Sequence, residues 1–515
     1  MNAIVTPSLV CFLFRDTFVE VFKYIFSQTT QGCKAPTHPS LLRSTIASLK
    51  HRIETPKTYT ALAAAMQTWV KYLVDFLLAF GLSFRYTRTL VSIYTYLTFK
   101  PYLIADNPKY RSQDVTVIIP TTFKTPVDLV KCIHCISKCS PAQIFVVTAD
   151  GNINLVKDLC ILSDFQNVTV LGTEKLNKRR QLLRALPEVK TEIVVFADDD
   201  VFWPDGYLVQ LLAIFEDPEV GAGGTRQRVR RSQNPNMWNF LGIAYLERRV
   251  WNNISTNAID GSLSTLSGRS AAYRTHILKN AEFTHYFLND AWRGRPLNTD
   301  DDKCLTRYLY SHGWKIAIQT GTLLETTLED NPQYIEQCFR WARAHWRGNL
   351  TVMENETYWR SRKHLWGFYA IYLAQYQTPA FLVDGTLLAL LWLALLDTSF
   401  NARLTGMLLF VAWILFTKNL KMIPHYCRHP ADMKFIPLSI LASYVHGYIN
   451  VKARFTLRNT SWGSQKLEEL EQPKAPTNAE VVPLLQETMA EVLHQDPEEI
   501  KIDAGHVSLP PTTGD

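Results

Sequence analysis

Cysteine, glycine and proline are all too few in this chain of 515 residues for the classes of protein that are rich in them. Nine unevenly spaced cysteines do not make the disulfide framework of a small secreted domain. With 22 glycines and 25 prolines, the chain is neither collagen-like nor a Pro/Gly-rich polymer. A hydrophobic share of 47% excludes a disordered chain, and a mean hydropathy close to zero excludes a chain that lies wholly in a membrane. The composition therefore predicts a large soluble domain together with a few apolar segments.

The sequence also lacks the signatures of nucleic-acid binding, although its net charge is +7. It contains no RNA-binding motif, zinc-finger spacing or basic-region heptad, so we expect no nucleic-acid partner. The charge is unevenly spread, because residues 465–515 contain eleven acidic and three basic residues and residues 1–464 therefore carry +15. We expect a mostly disordered acidic tail, and a basic body suited to an anionic membrane surface or a phosphorylated substrate.

A cluster formed by Cys132, His134, Cys135 and Cys139 has two interpretations. Cysteine and histidine are zinc ligands, but no second pair of ligands follows at a suitable spacing. The three cysteines also fall on one face of a helix, as a buried apolar stripe requires. The apolar stripe is the favoured interpretation.

Three apolar runs follow one another toward the C-terminus: Thr378–Asp397, Leu404–Thr417 and Phe435–Val451. Each is near or slightly below the roughly 20 residues that span a bilayer. One such run could be a buried helix, but three in succession favour membrane segments. Upstream, Ala61–Phe84 and Leu90–Leu103 are further candidates for spanning or interfacial helices. We therefore expect an integral membrane protein with several crossings and a lipid bilayer as a partner.

Between residues 105 and 355, short β-branched runs alternate with helical stretches. The strands are predicted at Val115–Pro120, Ile144–Thr148, Val168–Gly172 and Glu192–Ala197. This alternation predicts an α/β domain with a largely parallel sheet, in which ligands bind beyond the carboxyl ends of the strands. The expected organisation is membrane or interfacial helices at 1–104, the α/β domain at 105–355, an interfacial helix at 356–376, transmembrane segments at 377–452 and the acidic tail at 465–515.

Two acidic triplets lie about a hundred residues apart. The first, Asp198–Asp200, directly follows the fourth predicted strand. Its carboxylates repel one another and require a cation, and hard oxygen ligands suit Mg²⁺ or Mn²⁺ bridging a diphosphate; a solvated acidic turn is the alternative. In the second triplet, Asp300–Asp302, a carboxylate held near others can have a raised pKa and serve as a general base.

Several other segments after the strands have both a structural and a functional interpretation. Asp150 is either a turn residue or a carboxylate that accepts hydrogen bonds from a nucleobase. The basic run Lys178–Arg180 either begins a helix in solvent or meets a nucleotide. The small residues of Ser267–Arg274 allow close approach of a flat ligand such as a sugar ring. The run Gln337–Arg347 combines cations with indoles, which suits either a helix on a membrane surface or a site for diphosphate and sugar.

In this order, the motifs PTT, ADG, NKRR, DDD, SGRSAAYR, TDDDK and QCFRW, followed by apolar segments, resemble those of the processive family 2 glycosyltransferases. These are the membrane synthases of hyaluronan, chitin and cellulose, and the similarity is greatest to the fungal type 2 polysaccharide synthases. The resemblance covers roughly residues 105–465. It implies a GT-A, Rossmann-like domain in the cytosol, anchored in the plasma membrane, with a UDP-sugar donor, a polysaccharide acceptor and Mg²⁺ or Mn²⁺ as cofactor.

The resemblance also implies a role for each matching residue. Asp302 would be the general base of an inverting reaction, and Asp301 is the alternative because Thr299 leaves the register of the motif open by one residue. Thr121, Asp150, Lys178, Arg179 and Asp198 would bind the nucleotide, Asp200 and Asp198 the metal, and Ser267, Gly268, Gln337, Arg340 and Trp341 the acceptor and the diphosphate.

Two positions depart from the family pattern. Thr122–Phe123 stand where many relatives have Tyr-Asn, which bears on base stacking, and Asp300 stands where Thr or Gly is usual. The leading hypothesis is a membrane-bound transferase that extends an extracellular or cell-wall polysaccharide and exports it through its own membrane segments. Non-processive transfer to a lipid acceptor is the alternative. A membrane scaffold or transporter without catalytic activity is disfavoured, because both acidic triplets are intact.

Overall fold

The computed structural model describes residues 56–297, 299–354 and 364–460, together with Pro483. The chain divides into two compact units, Met1–Asp75 and Phe76–Asp515. In the first unit, the described residues 56–75 are helical. The predicted acidic tail, Pro483 excepted, and residues 1–55 lie outside the described residues.

Eight strands of the second unit form one mixed sheet, in the spatial order β3-β2-β1-β4-β7-β6-β10-β5. They are β1 (Val115–Pro120), β2 (Gln143–Ala149), β3 (Val168–Thr173), β4 (Ile193–Ala197), β5 (Val201–Phe202), β6 (Val220–Val229), β7 (Ser270–Arg274) and β10 (Lys315–Thr326). All run in one direction except β5 and β7, which are antiparallel to their neighbours. Strands β8 (Ala291–Trp292) and β9 (Arg295–Pro296) form a separate short antiparallel pair.

The four predicted strands are confirmed as β1, β2, β3 and β4, with ends that differ by no more than one residue. Strand β1 is buried along its whole length, and β4 likewise. Strands in the middle of a sheet that is covered on both faces are buried on both sides, so their sequences are continuous apolar runs. That is why these segments could be recognised without an alternating pattern.

Helices cover both faces of this sheet. They are α1 (Pro56–Thr98), α2 (Pro126–Lys138), α3 (Ile153–Leu162), α4 (Lys178–Ala185), α5 (Tyr207–Leu212), α6 (Met237–Asp260), α7 (Thr275–Leu278), α8 (Ala281–Leu288), α9 (Asp301–Ser311) and α10 (Gln333–Glu354). One core includes Leu129 and Ile133 of α2, and the other includes Leu182 of α4 and Leu305 of α9. The two cores hold the carboxyl ends of the strands at a common edge, where the candidate site lies.

Helix α2 carries the cysteine cluster. Cys132 and Cys139 are buried in the apolar core, and the Cys132 thiol lies 3.5 Å from the backbone oxygen of Asp198. Within the described part of the chain, no group of three or more His, Cys, Asp and Glu side chains is arranged to hold a metal ion. Cys132 and Cys139 thus occupy core positions, as the interpretation as an apolar stripe predicts, and Cys135 is half-buried against the same core.

The C-terminal part of the second unit is helical. Its helices are α11 (Leu365–Gly367), α12 (Ala380–Ala394), α13 (Phe400–Asn419), α14 (Ile423–Arg428) and α15 (Ile436–Phe455). Among the described residues, one helical stretch, Phe400–Arg428, is long and apolar enough to cross a membrane. The stretches Leu365–Gln377 and Ala380–Ala394 meet this test only when taken together, and they are bent by 83° at the break between them. Of the predicted membrane segments, Leu404–Thr417 thus lies in a helix of sufficient length.

The other predicted crossings are not found in that form. Thr378–Asp397 contains a helix of only 15 residues, and Phe435–Val451 lies in a helix that does not meet the test. For Phe435–Val451 the physical reason is that α15, which contains nearly all of this segment, packs against the α/β domain. The indole of Trp346 in α10 donates a hydrogen bond to the backbone oxygen of Asn450 at 3.0 Å, and Ala453 is fully buried at this contact. A helix with one face against a soluble domain does not need to be apolar all round.

One buried carboxylate connects four helices of this region. Asp384 of α12 lies 2.8 Å from Arg85 of α1 and 2.8 Å from Lys418 of α13. The hydroxyl of Tyr444 in α15 donates to it at 3.2 Å. Because Asp384 is 3% exposed, its two cationic partners supply the charge compensation that burial requires.

Candidate active site

The carboxyl ends of the strands open into a cavity of about 290 Å³. The cavity is lined by eleven of the predicted site residues: Thr121, Lys178, Asp198, Asp200, Ser267, Gly268, Asp301, Asp302, Gln337, Arg340 and Trp341. A cavity of about 720 Å³ lies elsewhere, beside the starts of β6 and β10, and none of the predicted site residues lines it. We assign the site to the smaller cavity, since ligands of parallel sheets bind at the carboxyl ends of the strands.

The first acidic triplet follows β4, and each carboxylate has its own partner. Lys178 donates to Asp198 at 2.5 Å, the hydroxyl of Thr121 donates to Asp199 at 2.6 Å, and that of Thr327 donates to Asp200 at 2.9 Å. Burial raises the pKa of Asp199 to about 6, and burial together with Asp198 raises the pKa of Asp200 to about 7. Their oxygens are hard ligands of the kind that divalent cations prefer, but among the described residues the protein side chains alone do not form a group of three arranged to hold such an ion.

Lys178, at the start of α4, joins the two triplets. Its ammonium lies 2.5 Å from Asp198 and 3.3 Å from Asp301. Burial lowers the pKa of this lysine, but the carboxylates of Asp198 and Asp301 raise it by more, so the net shift is upward. A Cβ at Gly268 would lie 3.1 Å from the same ammonium, so only glycine leaves the ammonium its present position without displacement. Lys178 is therefore a permanent cation between the triplets.

The second triplet begins helix α9, and its members have different acidities. Burial raises the pKa of Asp301, but Lys178 and Arg179 lower it by more, so the net shift is downward. Burial and the neighbouring Asp301 raise the pKa of Asp302. One oxygen of Asp302 accepts a hydrogen bond from the backbone NH of Lys303 at 2.8 Å. Asp302 is therefore the more basic carboxylate of the two.

Asp300 differs from both. Its carboxylate is held by the guanidinium of Arg347 in α10, at 2.9 Å and 3.2 Å. Both side chains are 2% exposed. The departure from the family pattern at position 300 thus corresponds to a buried ion pair, which leaves Asp301 and Asp302 as the members of the triplet available to a ligand.

Helix α10 supplies the wall opposite the triplets. The indole of Trp341 stacks on Tyr245 of α6, with ring centroids 4.9 Å apart, and the guanidinium of Arg269 lies 5.5 Å from the Trp341 ring. Arg340 lines the same cavity; burial lowers its pKa, and the carboxylates of Asp301 and Asp302 partly offset this shift. The wall therefore combines a cation with a flat aromatic surface.

A second cavity beside the site, of about 440 Å³, adjoins the site cavity of about 290 Å³. It extends between α6, α10, residues 370–378 and α15. The two cavities share the lining residues Arg249, Asp302, Trp341 and Ala344. Asp302 thus lies where one space meets the other, which is a suitable position for a group that acts between two substrates.

Residues 112–344 match the protein family described as Glycosyltransferase like family 2. A type 2 glycosyltransferase of Zymoseptoria tritici is 43% identical over 388 residues, which cover 74% of this chain and 81% of that protein. This chain belongs to the family 2 glycosyltransferases. It is also 22% identical to a hyaluronan synthase of Streptococcus pyogenes, over 61% of this chain and 71% of that one. Among solved structures, it is similar to the mannosyltransferase PcManGT of Pyrobaculum calidifontis in complex with GDP-Man and Mn²⁺, with 19% identity, a TM-score of 0.45 and coverage of 72% and 99%.

The protein is therefore a glycosyltransferase that uses a sugar-nucleotide donor, and its α/β domain has a GT-A-like fold. Family membership confirms the coarser part of the resemblance inferred from the motifs.

Two predicted site residues of the glycosyltransferase do not reach the cavity. Arg179 is 2% exposed and donates to the backbone oxygens of Phe287 and Thr299 and to the carboxylate of Asp290, at 2.7 to 2.9 Å. This guanidinium is used to hold the chain before α9, so it is not placed to meet a nucleotide. Asp150 directly follows β2 and lies close to Gly172 of β3, outside the lining of the cavity.

Three lining residues of the glycosyltransferase received no role from the sequence. Arg249 projects from the middle of α6 into both cavities, Arg269 faces Trp341, and Thr327 donates to Asp200. Arg269 belongs to a motif that was recognised, SGRSAAYR, and its charge was the available signal. For Arg249 the sequence offers no signal, because its position depends on how a long helix crosses the sheet.

Proposed function

We propose that this glycosyltransferase transfers a sugar from a UDP-sugar to a hydroxyl group of a growing polysaccharide, with inversion at the anomeric carbon. The position of Asp302 at the junction of the two cavities carries the proposal. The cavity beside the first triplet would receive the donor, and the adjoining cavity would receive the acceptor. A base between them is in reach of the acceptor hydroxyl as it approaches the donor.

The reaction exchanges one carbon–oxygen bond for another. The acceptor hydroxyl oxygen attacks the anomeric carbon on the face opposite the diphosphate, and its proton passes to Asp302. The bond between the anomeric carbon and the diphosphate oxygen breaks, and its electron pair leaves with UDP. The raised pKa of Asp302 supports this role, because a general base acts best when its pKa approaches the working pH.

The leaving diphosphate needs positive charge. Lys178 and Arg340 would provide it from two sides of the cavity, as cations held in place before the reaction. Asp198 and Asp200 would hold Mg²⁺ or Mn²⁺, with the remaining ligands contributed by the diphosphate and water. When bound there, the metal supplies Lewis-acid stabilisation of the departing diphosphate.

The remaining predicted residues fit around these two groups. Thr121 would contact the uridine from the end of β1. Ser267 and Gly268 would border the acceptor sugar. Gln337 would hydrogen-bond a ligand, since its side-chain oxygen is buried with no hydrogen-bond partner among the described residues. Trp341 would provide the stacking surface for the acceptor ring.

A polysaccharide acceptor, rather than a single sugar, is supported by the extent of the second cavity. It runs from Trp341 along α10 to Asn450 of α15 and to residues 370–378, next to the bent apolar pair. An acceptor that lies along this path would be directed toward the apolar helices. The proposal therefore includes a plasma-membrane location with the α/β domain in the cytosol, membrane or interfacial helices at 1–104, an interfacial helix at 356–376, transmembrane segments at 377–452 and an acidic tail at 465–515.

A panel of radiolabelled UDP-sugars, followed by sizing of the product, tests the proposal. Incorporation into a polymer of many units is the expected result with one or two of the donors. One sugar per lipid acceptor would instead support non-processive transfer. No incorporation from any UDP-sugar in the presence of Mg²⁺ or Mn²⁺ would exclude the proposed donor class.

A further inference from the structure

The buried pair of Asp300 and Arg347 has no part in the proposed chemistry, yet it lies directly beside the residues that do. Asp300 precedes the general base by two residues, and Arg347 lies on the helix that carries Gln337 and Trp341. The guanidinium binds both carboxylate oxygens, which is the geometry that arginine provides and lysine does not.

The backbone at this point is also unusual. Asp300 has a φ of +67°, the left-handed region in which glycine is unstrained and other residues are disfavoured. Aspartate tolerates this region better than most residues do. Glycine would satisfy the backbone alone, so the side chain at position 300 has to be explained by the contact that it makes.

Arg347 makes further contacts with the same guanidinium. It donates to the backbone oxygens of Leu457 at 3.3 Å and Asn459 at 3.0 Å, just beyond the end of α15. One buried side chain thus holds three segments together: the turn before α9, the helix α10 and the chain that follows α15.

Helices α9 and α10 approach each other closely at the same point. Gly348 follows Arg347, and a Cβ on this glycine would lie 2.6 Å from the Cδ atom of Lys303. A side chain at position 348 would have to displace the Lys303 side chain, so Gly348 lets the first turn of α9 lie close against α10. The ion pair and this contact act on the first turn of α9, which contains Asp302.

We propose that the Asp300–Arg347 pair is a positioning device, which fixes the first turn of α9, and with it the carboxylate of Asp302, against helix α10. The inference rests on the proposed function, in which Asp302 is the base. Neither residue of the pair touches a substrate in this scheme. Their effect on the reaction is transmitted through the position of Asp302 and through the charge beside it.

The direct test compares full-length wild-type protein with Asp300→Gly, Asp300→Asn and Arg347→Lys, by kcat and KM for the UDP-sugar that the wild type uses. We expect kcat to fall roughly 10- to 100-fold in all three, as for groups that orient a reacting residue, while KM for the donor stays within about twofold. Asp300→Gly is the sharpest of the three, since it suits the backbone and removes only the side chain. A wild-type kcat in this variant would overturn the proposal.

Removal of one partner leaves a buried charge unpaired, which can prevent folding. The double variant Asp300→Asn with Arg347→Gln removes both charges and is expected to fold. Its kcat should remain low, because two amide side chains reproduce neither the bidentate hydrogen bonding of the guanidinium nor its hydrogen bonds to the backbone oxygens of Leu457 and Asn459. A folded double variant with wild-type kcat would show that the pair only stabilises the chain.

The pH profile of kcat supplies a readout that a purely structural role would not move. Asp300→Asn leaves the positive charge of Arg347 near Asp302 and should shift the acid limb to lower pH, whereas Arg347→Gln leaves a negative charge and should shift it to higher pH. The charged and titratable groups that already face Asp302 are Lys178, Tyr245, Arg249, Tyr273, Asp301, Lys303 and Arg340. They are the same in both variants, so shifts in the same direction would contradict the proposal.

A matched control exists in the pair of Arg231 and Asp432. The guanidinium binds both oxygens of Asp432 at 2.8 Å, and this carboxylate is fully buried, but the pair lies away from the cavity. Asp432→Asn should lower the unfolding temperature and leave kcat unchanged. A wild-type protein without UDP-sugar turnover would contradict the proposed function itself, whereas an active wild type with equally active Asp300 variants would overturn only the positioning role.

Discussion

The two acidic triplets, Asp198–Asp200 and Asp300–Asp302, have the same sequence and very different surroundings. In the first, two of the three carboxylates accept hydrogen bonds from threonine hydroxyls, and burial raises the pKa values of Asp199 and Asp200 to about 6 and 7. In the second, Arg347 and Lys178 pair with Asp300 and Asp301, the pKa of Asp301 is lowered and the pKa of Asp302 is raised. The first triplet is the proposed metal site, while the second contains one carboxylate, Asp302, whose pKa is shifted in the opposite direction from that of Asp301.

This difference shows how three adjacent carboxylates acquire separate functions. Neutral hydroxyl donors orient an oxygen without cancelling its charge, so they prepare a metal site. In the second triplet, cationic partners offset the charges of Asp300 and Asp301, and Asp302 is more basic than Asp301. Lys178 contacts both triplets and makes the electrostatics of each depend on the other. Substitutions in each triplet, and in the residues that contact it, test this difference.

The largest effect on kcat is expected at Asp302, the proposed base. Asp302→Asn keeps the shape of the side chain but cannot accept a proton from the acceptor hydroxyl, so kcat should fall roughly 10³-fold, within the range for general-base catalysis. Binding of UDP, measured by calorimetry, should be unchanged because the first triplet is intact.

Asp301→Asn is the control for that substitution. Its carboxylate is paired with Lys178, and its lowered pKa makes it a weak base, so the loss in kcat should be closer to 10-fold, from the altered cation alone. Equal losses in the two variants, or the larger loss in Asp301→Asn, would assign the base to position 301.

The second prediction removes the link between the triplets. Lys178→Met leaves Asp198 and Asp301 without their shared cation and the diphosphate without one donor, so kcat/KM should fall roughly 100-fold. Lys178→Arg should recover part of this loss. Lys175→Met, an exposed lysine of the preceding loop, should have no effect on kcat/KM. If the two Met variants have the same activity, the link has no catalytic role.

The third prediction concerns the neutral donors of the first triplet. Thr327→Val removes the 2.9 Å hydrogen bond to Asp200, so activation by Mn²⁺ or Mg²⁺ should require roughly 10-fold more metal, with kcat restored at saturation. Thr326→Val removes a weaker contact of 3.5 Å to the same carboxylate and should change the requirement less. Titration of turnover with each metal measures both, and identical titrations would contradict a metal site at Asp200.

Much of this arrangement could be predicted from local pattern. The four strands are apolar runs, the first triplet stands at a strand end, and the Gln337–Trp341 spacing puts its side chains on one part of a helix. These features depend on neighbouring residues alone, which is why the fold class and most cavity residues were accessible. Cys132 and Cys139 were accessible as core residues for the same reason.

The exceptions depend on contacts between distant segments. Lys178 and Arg179 are adjacent, but successive residues of a helix point about 100° apart, so one reaches the cavity while the other is buried among Phe287, Asp290 and Thr299. Likewise, the partner of Asp300 is Arg347, 47 residues away, and no local pattern indicates the pair. Phe435–Val451 is apolar enough to suggest a crossing, yet its helix packs on α10.

The smallest expected effect is on the pH dependence of stability, and it distinguishes Lys303 from Lys178, the two lysines beside the second triplet. Lys178 has a raised pKa, whereas burial lowers the pKa of Lys303 to about 7, against partial compensation by Asp302. A pKa that is lower in the folded than in the unfolded chain means that the folded protein binds fewer protons between about pH 7 and the normal lysine pKa near 10.4, so this group makes stability rise with pH across that window. The stability of Lys303→Met relative to wild type should therefore be greatest at or below pH 7. Measured as a difference in urea midpoints, this relative stability should decrease toward pH 9. Lys315→Met, at an exposed lysine, should give a difference in urea midpoint that does not shrink with pH. If the difference for Lys303→Met were also constant, the pKa of Lys303 would not be lowered in the folded protein.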